Sequence, residues 1–163
     1  MSYFNSKNKT NAGPVITVSA QTTATVSDRM PLQSQNIQFM DNPVNNQIML
    51  ITRANTEDDS RSSKKGLVLE FDRYIKSGNY SVTDTDSPIA KVSYYETGAF
   101  SELSTSYNYI AKSGTITVKA IEASADKLHY EFDFNFKGVD QLNRELTISG
   151  RSTYIIFMQS IRP

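Results

Sequence analysis

The chain has 163 residues with a single histidine and no cysteine or tryptophan, and its 17 basic side chains balance 17 acidic ones. Lack of cysteine excludes disulfides, thiol nucleophiles, Cys-ligated zinc and iron–sulfur clusters. The charge balance, with a pI near 6.6, argues against nucleic acid as a partner, since that affinity rests on neutralising phosphates with a basic excess.

Residues 1–12 are polar, Asn/Lys-rich and aperiodic, which predicts a flexible N-terminal arm ahead of one domain over 13–163. The N-terminus lacks the apolar core of a signal peptide, and no stretch approaches the ~20 apolar residues of a membrane helix. The expectation is a soluble protein, cytoplasmic or exported without a visible signal, with membrane residence disfavoured. From Gly13-Pro14 the pattern turns to strands. VITVSAQTTATV (15–26) is dense in β-branched residues, with Ile16, Val18, Ala20, Ala24 and Val26 on one parity. A short strand at 36–40 and the turn Asp41-Asn42-Pro43 lead to QIMLITR (47–53), apolar on both parities as in a strand covered on both faces. Residues 54–65 form a polar loop. Strands follow at 66–74, after the turn Ser77-Gly78-Asn79, at 89–96 and, past a loop near Gly98, at 104–111. The last third reads as strands 114–121, 128–136, 144–148 and 152–160, with a turn near 138–142. Short strands at even spacing, with little or no helix, predict an all-β fold: one antiparallel β-sandwich, or a closed β-barrel, of about 8–10 strands.

LHYEFDFNFKG (128–138) has the sharpest alternation. Leu128, Tyr130, Phe132, Phe134 and Phe136 form one face; His129, Glu131, Asp133, Asn135 and Lys137 form the other. Paired with 114–121 so that the apolar faces coincide, Glu131 falls opposite Lys119 and Asp133 opposite Thr117. His129 then lies near the hairpin end, and the polar row reads as a solvated wall rather than a metal site. YIKSGNYSVT (74–83) and YIAKSGTITV (109–118) echo one another and read as one hairpin recipe used twice.

Catalytic patterns fail on context. A serine triad would have to use His129, and no Gly-x-Ser-x-Gly elbow is present. Ser62-Ser63-Lys64-Lys65, Ser106-Tyr107-Asn108 and Lys112-Ser113-Gly114 match the penicillin-binding motif set by letter. The first lies in a polar loop, though, and the other two are nearly adjacent. Neither Glu57-Asp58-Asp59 nor Asp84-Thr85-Asp86 fits a calcium loop, and no phosphate-binding glycine motif occurs. No catalytic residue, metal or cofactor is therefore assigned, and the chain is expected not to be an enzyme.

Nine tyrosines and eight phenylalanines are the least negative signal. Tyr94, Tyr95, Tyr107 and Tyr109 are the candidate binding residues, since tyrosine offers a flat apolar face and a polar tip. The bland account is β-propensity. The apolar segment Tyr154–Met158 reads as a covered central strand, with a homo-oligomer contact as the alternative.

Ser113–Val118 followed by Phe132–Phe136, an S-G-T-I-T-V strand and then an alternating F-x-F strand, resembles the closing hairpin of small bacterial β-sandwich domains of uncharacterised function. The resemblance covers about a third of the chain and implies fold, with no catalytic residue to transfer. The function expected is a non-catalytic binding or assembly domain. It would meet a protein or carbohydrate partner through the tyrosine-bearing strands or the loops 54–65 and 96–104. The alternatives are a small-molecule-binding barrel and a membrane-acting β protein whose strand 15–26 rearranges into a pore wall.

Overall fold

Side chains alternate across a strand, so each apolar/polar alternation in this sequence assigns one row to an interior and one to solvent. The computed structural model describes residues 15–55, 64–100 and 103–159. These form ten strands: β1 (Val15–Val26), β2 (Leu32–Ser34), β3 (Asn36–Asn42), β4 (Gln47–Asn55), β5 (Lys64–Asp72), β6 (Gly78–Ser81), β7 (Ile89–Phe100), β8 (Leu103–Ala123), β9 (Lys127–Val139) and β10 (Glu145–Gln159). No helix occurs among the described residues, hence none long and apolar enough to cross a membrane.

All strands belong to one antiparallel sheet, ordered β2-β1-β10-β9-β8-β7-β5-β4-β3, with β6 added along β8. The two ends of that order, β2 and β3, are separated in the chain by Gln35 alone. The sheet therefore curls until its ends nearly meet, and the all-β antiparallel expectation is realised as a nearly closed barrel. Most of its edges are removed by closure.

The interior is packed with side chains. Leu128, Tyr130, Phe132, Phe134 and Phe136 of β9 are all buried, as their parity predicts. Phe132 lies with its ring centroid 5.0 Å from Phe71, 6.0 Å from Tyr130 and 5.8 Å from Tyr154. Ile116, Val118, Ile148 and Ile156 fill the same layers. Four buried hydroxyls among them satisfy one another. Thr22 Oγ1 lies 2.8 Å from Ser152 Oγ and 3.2 Å from Thr52 Oγ1, which lies 3.0 Å from the Tyr154 hydroxyl. Burial pushes the Tyr154 phenol up, so it remains a neutral member of this cluster.

The predicted β8/β9 register is the observed one, with Lys119 opposite Glu131 and Thr117 opposite Asp133. Lys119 and Glu131 form an ion pair at 3.4 Å, and Arg151 of β10 reaches Asp133 at 2.6 Å. The outer row is thus the solvated wall.

Three predicted breaks are absent. Gly98 pairs with Thr105 inside the β7/β8 hairpin, so that ladder runs to Phe100 and Leu103 where a loop was expected. Ser149-Gly150-Arg151 does not separate two strands. A side chain at Gly150 would collide with the Thr23 carbonyl and Ala24, so this glycine allows close strand approach. Lys112-Ser113-Gly114 is no second hairpin turn, because β8 passes through it with a bulge against β9. Gly114 has φ 121°, and β8 pairs with β7 before this point and with β6 after it. β2, in contrast, was not foreseen. Leu32 is its one apolar residue, too little to make a pattern.

Candidate functional site: an open seam between β1 and β3

The barrel fails to close along one line, and the cause is local. β2 pairs with β1 at Thr22–Ala24 only. The Ser34 hydroxyl then accepts the Asn36 N–H at 2.9 Å and donates to the Arg53 carbonyl, which turns the chain away from β1 and onto β4. From Asn36 to Asn42 the next strand pairs with β4 alone. Val15–Gln21 consequently pair with β10 on one edge and, among the described residues, with no strand on the other.

Two clefts occupy this seam. One, of about 400 Å³, is lined by Val18–Gln21, Gln35, Thr153 and Ile155. The other, of about 610 Å³, lies between Val18 and the Gln33–Ile37 segment with Arg53 and Ala54. Inward-facing side chains are accessible along it. Ile16 is 46% exposed, and Val18, Ala20, Ile37 and Phe39 are half-buried. The neighbours across from Val18, Ala20, Ile37 and Phe39, namely Ile156, Tyr154, Thr52 and Leu50, are fully buried, and Met158, across from Ile16, is half-buried. The rim of the core is thus partly exposed along β1 and β3, while the residues beneath it stay buried. At the seam's far end Arg73 reaches Asp41 of β3 at 2.6 Å and the Met158 sulfur of β10 at 3.9 Å. Its carbonyl accepts the Tyr130 hydroxyl at 2.6 Å.

The walls carry almost no charge. Residues 15–26 of β1 and 153–159 of β10 contain no Asp, Glu, Lys or Arg. Edge strands are ordinarily protected from pairing by lysine, proline or a bulge. No such device appears on Val15–Gln21.

The opposite end of the barrel is tied shut. Arg29 donates to both Glu96 carboxylate oxygens at 3.1 Å, and the Tyr94 and Tyr109 hydroxyls donate to the same carboxylate at 3.2 and 3.4 Å. Lys65 Nζ donates to the Met30 and Pro31 carbonyls at 3.0 Å, pinning the β1–β2 turn. The bond to Glu96 holds the Arg29 guanidinium above its usual range. Burial, reinforced by the Glu96 charge, pushes the Tyr94 and Tyr109 phenols up. The bonds named here link Arg29, Glu96, Tyr94 and Tyr109 into one network, which describes a structural clasp.

This places the tyrosines. Tyr94 and Tyr109 point into the barrel and are buried, with hydroxyls committed to Glu96. Tyr95 is half-buried on the outer face, against Gly66. Tyr107 is half-buried beneath the Arg144 guanidinium, 4.3 Å above its ring. The four do not converge on one surface. Tyr154–Met158 is paired on both edges, with β1 and with β9, and only Phe157 is well exposed. His129 lies on the outer face between Glu122 and Ile155. Among the described residues no group of three or more His, Asp or Glu side chains could hold a metal ion. The expected partner loop 54–65 falls mostly outside the described residues, and most of 96–104 belongs to the β7/β8 hairpin. Sequence reasoning missed the seam because its walls look like ordinary strands. The one local signal was the uncharged run 15–26.

Comparison with family models, with curated proteins and with solved structures finds no match to this chain.

Proposed function

We propose that the protein is a non-catalytic binding or assembly domain whose recognition surface is the β1/β3 seam and whose partner is a polypeptide. One observation carries this reading: two strand edges that, among the described residues, pair with no further strand flank clefts reaching the half-buried Val18, Ala20 and Ile37. A polypeptide can satisfy both the peptide groups and the apolar surface together, which neither a sugar nor a small apolar ligand does. The placement of Tyr94 and Tyr109 inside the barrel weighs against carbohydrate stacking on them. Ring-to-ring packing about Phe132 leaves the aromatic rows little room for a small-molecule cavity. The charged outer face and apolar interior invert the pattern of a lipid-embedded barrel.

The chain lacks cysteine, so a Gln21→Cys/Gln35→Cys pair, both lining the first cleft, can be bridged by a short bismaleimide. Peptides selected from a displayed random library should bind the unbridged protein and be lost on bridging. Equal binding to the bridged form would place recognition elsewhere.

A further inference from the structure

Resting on the reading of the seam as a binding surface, we infer the form of the partner: one extended segment added to β1 as an antiparallel strand. It would be uncharged over about seven residues and carry apolar side chains at alternate positions. The orientation follows from β2. On this same edge of β1, Thr22, Thr23 and Ala24 already pair antiparallel with Ser34, Gln33 and Leu32. Continued unchanged, that register would bring Gln35 opposite Gln21 and then run down to Val15, but at Ser34 the chain is diverted onto β4. An added strand takes the place the diverted chain vacates, with the hydrogen-bond direction this edge already uses.

A single strand between β1 and β3 cannot be antiparallel to both, because β2 and β3 run in succession and oppose β1. Antiparallel pairing is the more stable geometry per residue, and β1 presents it along Val15–Gln21 with no charged side chain. The requirement for alternation comes from the inward row. Residues opposite Val18 and Ala20 point into the half-open rim beside Ile37 and Phe39, where a charge would be desolvated without a counter-ion, and the residue opposite Ile16 meets the end already occupied by the Arg73–Asp41 pair. Residues opposite Val15, Thr17, Ser19 and Gln21 face water and can be polar. A second copy bringing its own β1 would bring the attached β10 into the space of β3, so a segment with both edges free fits better.

The test uses the full chain and the peptide Thr-Val-Thr-Val-Thr-Val-Thr with a Gly-Gly-Lys tail, alongside the same peptide N-methylated at its central valine and one with lysine at the valine positions. Binding is followed by NMR, with amide exchange at Ile16, Val18 and Ala20 as the readout, because the alternate residues of β1 direct their N–H groups to β10, as Ser27 does to the Thr147 carbonyl. The inference expects the parent peptide to bind and slow exchange at those amides at least about tenfold. Both altered peptides should bind at least about tenfold more weakly. Val18→Lys, an inward charge of the kind that guards natural edges, should abolish binding while leaving the circular dichroism spectrum unchanged. If library-selected peptides bind and are lost on bridging, yet the exchange at Ile16, Val18 and Ala20 does not change, the strand mode is wrong and the seam reading stands. If bridging leaves their binding intact, the seam reading fails as well. Slow exchange at those amides in the free protein that quickens on deleting residues 1–14, or that depends on protein concentration, would assign the edge to the chain itself or to a second copy, and would overturn the inference.

Discussion

The clasp between Arg29 and Glu96 allows a quantitative test of how the closed end of the barrel is held. Arg29 is 39% exposed and Glu96 only 17%, so the pair lies between two known regimes. Exposed ion pairs are worth about 0.2–1 kcal/mol. Removing one partner of a buried pair costs about 3–5 kcal/mol, because a charge is left behind without compensation. Arg29→Met leaves Glu96 with the Tyr94 and Tyr109 hydroxyls as donors and partial access to water. The expected cost is therefore about 2 kcal/mol, or a fall in Tm of about 4–8 °C for a chain of this size. Glu96→Gln keeps an acceptor for both tyrosines and frees an arginine that water can solvate, at about 1 kcal/mol. The double variant has no orphaned charge and should cost about 2 kcal/mol rather than about 3, a coupling near 1 kcal/mol. Urea unfolding of all four proteins measures this, provided the slope with denaturant stays constant. A cycle additive to within about 0.3 kcal/mol would reduce the clasp to a surface contact and refute the argument.

Phe132→Ala removes the ring at the centre of the Phe71, Tyr130 and Tyr154 contacts. It should cost about 3–5 kcal/mol in urea unfolding, and a loss below about 1 kcal/mol would show that the interior is not packed as described. Gly114→Ala adds a methyl group at φ 121°, against the Asn135 carbonyl and Phe136. It should destabilise by at least about 2 kcal/mol, whereas retained stability would mean that the bulge is not strained. Burial raises the phenol of Tyr130 to about 12 and also raises those of Tyr94, Tyr95, Tyr109 and Tyr154. Between pH 10 and about 12 the unfolded chain loses the Tyr130 proton and the folded chain keeps it, and the other four phenols act in the same direction. Stability should thus be undiminished by them below about pH 10 and fall above it, by about 1.4 kcal/mol per pH unit for each retained proton. A urea midpoint that holds steady from pH 9 to 11.5 would contradict this.

Much of the fold was legible because two-residue periodicity is a local property. The row Leu128 to Phe136 specified its own inward face, and matching it to Ile116 and Val118 forced the register that puts Lys119 beside Glu131. What local pattern could not distinguish was a glycine at a break from a glycine at a close approach. Gly150 and Gly98 lie inside ladders because of what lies across from them, Ala24 and Thr105, and such neighbours are remote in the chain. The tyrosines failed as a guide for a related reason. Parity separates Tyr94 from Tyr95, but only the closed sheet decides which of the two faces is the inside.

The candidate site was the least legible part, since it is made of unpaired backbone groups rather than a set of side chains. By itself the sequence determined the all-β class, the inward row of β9, the β8/β9 register and the uncharged run at 15–26. The tertiary structure alone decided that the sheet curls until its ends, β2 and β3, nearly meet, and that Ser34 diverts the chain onto β4 and leaves Val15–Gln21, among the described residues, with one unpaired edge. The physical reason is that strand propensity resides in each residue, whereas an unpaired edge exists only relative to strands elsewhere in the chain.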